Sequence, residues 1–108
     1  MKRNEIHFLS PSSKEVARHL GALVRQSRLA RGWTLAELAE RSRVSLATTK
    51  RIESGSSSAS LASWLALFER LGLLPKLGEL EDPASEALLN QTRAQRARSK
   101  RPKQDLDF

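Results

Sequence analysis

The sequence predicts an all-α chain, and three features predict it together. Apolar residues recur at helical spacing in four successive segments, each segment opens on a serine or threonine, and glycine closes three of them. Residues 1–13 carry mixed charge and end in Ser10-Pro11-Ser12-Ser13, an arm leading into a helix start that Ser12 or Ser13 can cap. Val16, Leu20, Leu23 and Val24 then share one helical face, with Lys14, Arg18, Arg25 and Arg31 largely outside it, until Gly32 stops the helix. Thr34 caps a short second helix. Glu37 lies three residues on, as a capping box requires, and Leu35, Leu38 and Ala39 supply the inner face before the helix ends at Ser42. Ser45 caps a third helix that reaches Ser54 and is ended by Gly55; Thr49 and Ile52 point inward, and Leu46, Ala47, Lys50 and Arg51 outward. Ser60 starts a fourth, with Leu61, Trp64, Leu65, Phe68 and Leu71 as its apolar stripe and Gly72 at its end.

Composition changes after Gly72. Leu73, Leu74, Leu77 and Leu80 are separated by Pro75 and Gly78, too broken for a long helix, and Glu79, Glu81, Asp82 and Glu86 make the next stretch acidic. Residues 84–98 suit a helix, but Arg93, Arg96, Arg98, Lys100, Arg101 and Lys103 form a run with no acid inside it, which predicts a disordered tail. The expected organisation is an arm (1–13), a helical domain (14–72), a leucine-rich and acidic segment (73–90) and a basic tail (91–108). Leu71 already completes a four-helix stripe, so the four leucines beyond it are expected at a dimer or partner interface.

With 19 Lys+Arg against 12 Asp+Glu, the net charge of +7 suits a polyanion such as nucleic acid, or an acidic protein face. There is no run of 18 apolar residues and no apolar signal-peptide core at the N-terminus, so a cytoplasmic protein without a membrane role is expected. The absence of cysteine excludes disulfides and thiolate metal sites, and His7 and His19 have no partner at metal-ligand spacing; neither metal nor cofactor is expected. Ser54-Gly55-Ser56-Ser57-Ser58 offers hydroxyls without a base or a phosphate cradle and reads as a solvated loop, so no enzyme activity is predicted. The lack of tyrosine weighs against stacking on single-stranded RNA.

Two short capped helices about three residues apart have the geometry of a helix-turn-helix, whose second helix enters the major groove while the first crosses the backbone. Thr34-Leu35-Ala36-Glu37-Leu38-Ala39-Glu40-Arg41-Ser42, then Val44-Ser45, then Arg51-Ile52-Glu53-Ser54-Gly55 resembles the Xre/Cro/repressor helix-turn-helix family, over residues 16–72. The resemblance implies a four- to five-helix repressor-like domain, acting as a homodimer on an inverted repeat in double-stranded operator DNA. It puts Thr34 and Leu35 at the start of the backbone-contacting helix and Ser45, Leu46, Ala47 and Thr48 at the start of the recognition helix. Lys50 and Arg51, one turn further on, reach a base or a phosphate. Leu46 and Ala47 cannot hydrogen-bond and suit thymine methyl groups; Arg51 suits a guanine, where a bidentate contact discriminates by ~1–3 kcal/mol. Arg28 and Glu53 stand at positions that form an ion pair between helices one and three in the phage-repressor branch, so Glu53 reads as structural. Arg43 replaces the family's usual turn glycine, and the left-handed conformation costs an ordinary residue roughly 1–2 kcal/mol. Either the turn is altered, or Arg43 offsets the strain by touching a phosphate.

A narrower resemblance comes from the second half. Trp64-Leu65-Ala66-Leu67-Phe68, Leu71-Gly72-Leu73-Leu74, the acidic stretch around Pro83-Ala84-Ser85 and the basic run from Gln91 to Arg101 look like HipB-type antitoxins, repressors encoded beside HipA-type serine/threonine kinase toxins. This implies a kinase partner, in single-chain or split two-chain form. Two roles stay open: a repressor whose essential surface is the helix-turn-helix, or an interaction protein that neutralises a kinase and binds DNA for autoregulation. The basic run fits DNA or the partner. Asp105-Leu106-Asp107-Phe108 fits a protein pocket better, because its aspartates repel phosphate.

Overall fold

The computed structural model describes residues 9–106, with side chains described through residue 99. They form helices α1 (Pro11–Ala30), α2 (Leu35–Ser42), α3 (Leu46–Glu53), α4 (Leu61–Arg70), α5 (Leu74–Gly78) and α6 (Pro83–Leu106), with no strand among the described residues. The fold is all-α. One compact unit runs to Gly78 and a second begins at Glu79. No described helix is long and apolar enough to cross a membrane.

The helix starts follow the local sequence closely. Ser10, Thr34, Ser45 and Ser60 each accept the amide of the residue three further on, at 3.1, 3.1, 3.1 and 3.2 Å. Each such cap contributes about 1 kcal/mol. At α1 the cap is Ser10, and Ser12 and Ser13 lie inside the helix. Pro11 explains the correction: it lacks an N–H and has its φ preset, so it takes the first helical position and leaves the cap to its predecessor. The N-terminal arm before residue 9 lies outside the described residues.

The first four helices end alike. The amides of Gly32, Arg43, Gly55 and Gly72 reach back three residues, at 3.0, 3.2, 2.9 and 3.0 Å, and the amide after each reaches back five, to Arg28, Ala39, Arg51 and Phe68. This reversal needs a left-handed residue. Glycine supplies it three times, and the fourth, Arg43 with φ 58°, is the one non-glycine residue with positive φ among the described residues.

Val24 of α1, Leu38 and Ala39 of α2, Ile52 of α3, Leu67 and Phe68 of α4, and Leu71 form the buried core. Complete burial of a large aliphatic side chain contributes ~1.5–3 kcal/mol. Thr49 is buried among them, its hydroxyl donating to the Ser45 carbonyl at 2.9 Å, so no buried polar atom is stranded there. Sequence periodicity had placed Leu61 on the α4 stripe; Leu61 is 72% exposed and Leu67 is buried instead. Both faces keep helical spacing, and packing against α2 and α3 selects the one that is buried.

The leucines after Gly72 are also reassigned in part. Leu73 and Leu77 pack against the core of the first unit, and Leu74 is half-buried. Pro75 does not prevent α5, because it sits in the first turn, where its missing N–H costs nothing. Leu80 alone of the four stays open to solvent, 87% exposed. Residues 91–106, the described part of the basic tail, continue α6. Asp82 starts that helix by accepting the Ala84 amide at 3.1 Å and the Ser85 hydroxyl at 2.8 Å. Its alanines, leucines, glutamines and arginines are strong helix formers, and acids at the front with cations behind complement the helix dipole.

Candidate nucleic-acid interface

α3 is the element whose placement decides what this surface can do. Thr49 and Ile52 anchor its inner face in the core, while Ser45, Leu46, Ala47, Lys50 and Arg51 are exposed and Thr48 is half-buried. A hydrogen-bonded line runs along the outer face. The Ser45 hydroxyl donates to Thr48 Oγ1 at 2.9 Å, and Arg51 Nη2 donates to the same oxygen at 3.1 Å. Thr48 thus accepts twice, which leaves its own proton free for an acceptor outside the protein. Arg51 is held along the helix by one donor and keeps the rest of its fork for a base edge or a phosphate.

The far end of α3 is fixed to α1. Arg28 Nε donates to Glu53 Oε2 at 2.6 Å and Nη2 to Oε1 at 3.1 Å, a bidentate pair whose side chains are 12% and 9% exposed. Arg28 Nη1 also donates to the Trp33 carbonyl at 2.9 Å, which ties the α1–α2 turn into the same joint. Hydrogen bonding to Glu53 raises the Arg28 guanidinium above its usual pKa range against the opposing effect of burial, so the cation is secure. Glu53 faces inward to Arg28, and its charge is matched there.

Gly21 forms the second clamp on α3, and periodicity alone did not reveal it. A Cβ at Gly21 would lie 2.3 Å from the Ile52 carbonyl oxygen and 2.8 Å from the Gly55 nitrogen, so α1 and the end of α3 meet backbone to backbone. The available signal was a glycine on the buried side of a long helix, which marks a close approach. Beside this contact, Lys14 and Arg18 line a cleft with Ser54, Gly55, Ser56 and Ser57, a second basic patch that sequence reading left unassigned.

Thr34 and Glu37 close a complete capping box, the Thr34 amide donating to Glu37 Oε1 at 2.8 Å. Those bonds hold the Glu37 carboxyl below its usual range, the Thr34 backbone N–H most of all. A carboxylate therefore stands where Thr34 was expected to meet a phosphate, and the Thr34 hydroxyl also hydrogen-bonds to it. Arg43, exposed in the turn, keeps the left-handed conformation, so the turn is not altered by the loss of glycine. Arg41 stacks over the Trp33 ring at 4.5 Å, and Arg70 Nε donates to the Arg41 carbonyl at 3.0 Å, which braces the second helix.

A family profile described as a helix-turn-helix domain matches residues 19–80, more than half of the chain. The chain belongs to the helix-turn-helix domain family. No curated protein and no solved structure matches it. The helix-turn-helix domain is a sequence-specific DNA-binding unit of transcription regulation, with α2 and α3 as its paired helices. The matched region extends past Gly72 and so takes in α5, in keeping with the packing of Leu73 and Leu77 on the helix-turn-helix core.

Proposed function

We propose that the chain is a transcriptional repressor that binds an inverted-repeat operator in double-stranded DNA as a homodimer, and that it is the antitoxin and autoregulator of a HipA-like serine/threonine kinase. The observation that carries the DNA-binding part is the state of α3: anchored by Thr49, Ile52 and the Arg28–Glu53 pair, with Leu46, Ala47, Lys50 and Arg51 exposed on the opposite side. A recognition helix needs this combination of rigid seating and free side chains, because a positional error of ~1 Å would spoil base-edge hydrogen bonds. Leu46 and Ala47 offer methyl contacts to thymine, and Arg51 offers a fork to guanine O6 and N7. Arg43, Lys50 and the Thr48 hydroxyl proton supply backbone contacts, which set register without reading sequence.

The kinase part rests on the likeness of residues 64–101 to HipB-type antitoxins. Leu74 and the exposed Leu80 are the leucines left for a dimer or partner surface, since Leu73 and Leu77 pack on the core. The acid-flanked end of the chain, of which residues 107–108 lie outside the described residues, is the segment offered to the kinase.

Operator selection from a random-sequence pool followed by titration tests the DNA reading. Half-sites about one helical turn apart, ~34–36 Å, are expected. Arg51→Ala should relax the choice at one position at a cost of ~1–3 kcal/mol. A uniform loss across sequences, with a salt slope shallower by about 0.9, would move Arg51 to phosphate contact. Affinity indifferent to Leu46, Lys50 and Arg51 changes would refute α3 as the reader. Co-purification with the kinase encoded beside it, weakened by deletion of residues 104–108 while operator affinity holds, tests the antitoxin reading.

A further inference from the structure

We propose that α6 pairs antiparallel with α6 of a second copy, about a two-fold axis at Leu89. This rests on the homodimeric reading above and adds to it one contact and its orientation. Residues 79–108 carry six acids and six cations, so the whole net charge of +7 belongs to the rest of the chain. The neutral segment is strongly polarised: Glu79, Glu81, Asp82 and Glu86 precede Leu88, and Arg93, Arg96 and Arg98 follow Leu89.

Within that order lies a heptad stripe. Asp82, Glu86, Leu89, Arg93 and Arg96 follow one another at alternating steps of four and three residues, and the same spacing continues in the sequence to Lys100 and Lys103. Alternating steps of four and three keep residues on one seam of a helix that packs against another helix. The seam changes sign at its single leucine.

No described charge of this seam pairs with an opposite charge within its own helix: Asp82 caps the first turn through the Ala84 amide and the Ser85 hydroxyl, and Glu86, Arg93 and Arg96 make no ion pair. Seven residues separate Glu86 from Arg93, about 10.5 Å along the axis, beyond the reach of the three- and four-residue pairs that join side chains on one helix. Arg93 makes one side-chain hydrogen bond, to Asn90 Oδ1 at 3.4 Å, and no ion pair is formed among the described side chains of α6. Leu88 and Leu89, at the point where the sign changes, are 64% and 49% exposed. A helix of 24 residues whose described side chains form no buried face is marginal by itself, since most helical stability in proteins comes from packing an apolar face.

A second copy answers all of this at once. A parallel mate would set acid on acid and base on base. An antiparallel mate centred on Leu89 sets Asp82 opposite Arg96, Glu86 beside Arg93 and Leu89 on Leu89, and the two-fold axis forms each pair twice. DNA fits the same seam poorly, because Asp82 and Glu86 would face phosphate.

The test uses the full chain and two double variants. Asp82→Lys with Glu86→Lys makes the seam wholly basic, and Arg93→Glu with Arg96→Glu makes it acidic over the paired stretch from position 82 to 96. By sedimentation, each should self-associate at least tenfold more weakly than the natural chain, and an equimolar mixture should associate at least as tightly. The rescue in the mixture also shows that both variants are folded. The natural chain has no cysteine, so cross-linking reports orientation directly. Asp82→Cys chains should form disulfides with Arg96→Cys chains and not with one another. Self-association unchanged in both variants, or no rescue on mixing, overturns α6 pairing while leaving a homodimer through another surface intact. A natural chain monomeric throughout removes both readings. Weakened DNA binding with unchanged self-association overturns the pairing in favour of a DNA arm.

Discussion

Arg43→Gly should stabilise the helix-turn-helix domain. Four helix ends share one hydrogen-bonding pattern, and Gly32, Gly55 and Gly72 hold its left-handed position at φ 70°, 83° and 74°, where Arg43 sits at φ 58° with a side chain attached. The arginine bears roughly 1–2 kcal/mol of steric strain there. Glycine relieves it but loses roughly 0.5–1 kcal/mol through its freer unfolded state. The net gain is about 0.5–1 kcal/mol, which raises the melting temperature of a domain this size by roughly 2–8 °C. Thermal and urea unfolding should be compared for Arg43→Gly and Arg43→Ala. Alanine keeps the strain and loses the same charge, so it should bring no gain. Equal melting temperatures for the two variants, or a fall with glycine, would refute the strain argument. Operator titration separates the second role: if Arg43 touches a phosphate, both variants should lower the salt slope by about 0.9 to the same extent. A more stable protein that binds DNA less tightly would mean that the strain is retained for the contact.

Glu53→Gln should lower stability by about 1.5–3 kcal/mol, because Arg28 loses a charged bidentate partner in a nearly buried joint; tighter DNA binding with an unchanged melting point would exclude that role for the pair. Gly21→Ala should cost about 3 kcal/mol or more, since its Cβ would meet the Ile52 carbonyl oxygen at 2.3 Å and backbone cannot swing aside, and urea unfolding should report it. Stability should fall in acid. The Glu37 carboxyl is held low by the Thr34 amide and that of Asp82 by the Ser85 hydroxyl and Ala84 amide. Their contributions are present above the ordinary carboxyl range near pH 4 and are lost as pH falls through the lowered values. Circular dichroism between about pH 5 and 2 should show a shallower acid transition in Glu37→Gln and Asp82→Asn.

Helix starts and stops were legible in the sequence because each is a local event. A cap bonds an amide three residues away, and a glycine reversal bonds carbonyls three and five residues back, so neighbouring residues carry the whole instruction. The inner and outer faces of α3 were legible for the same reason, with Thr49 and Ile52 inward and Lys50 and Arg51 outward. The Arg28–Glu53 pair came from family likeness, since 25 residues separate its members and no local rule joins them.

Elsewhere two local patterns were equally good, and long-range packing chose between them. Leu61 and Leu67 each fit a helical stripe on α4, and burial went to Leu67 because that face meets α2 and α3. Leu73 and Leu77 looked surplus only while the four-helix core was counted as closed; the assembled unit left a face that α5 covers. Gly21 and Gly55 mark a contact between two backbones distant in sequence, which has no periodic signature. The residues by themselves determined where this chain turns helical and where each helix ends. Which faces are buried, and which cations stay exposed, was decided by the tertiary structure, because burial depends on surfaces that residues far apart in the chain build together.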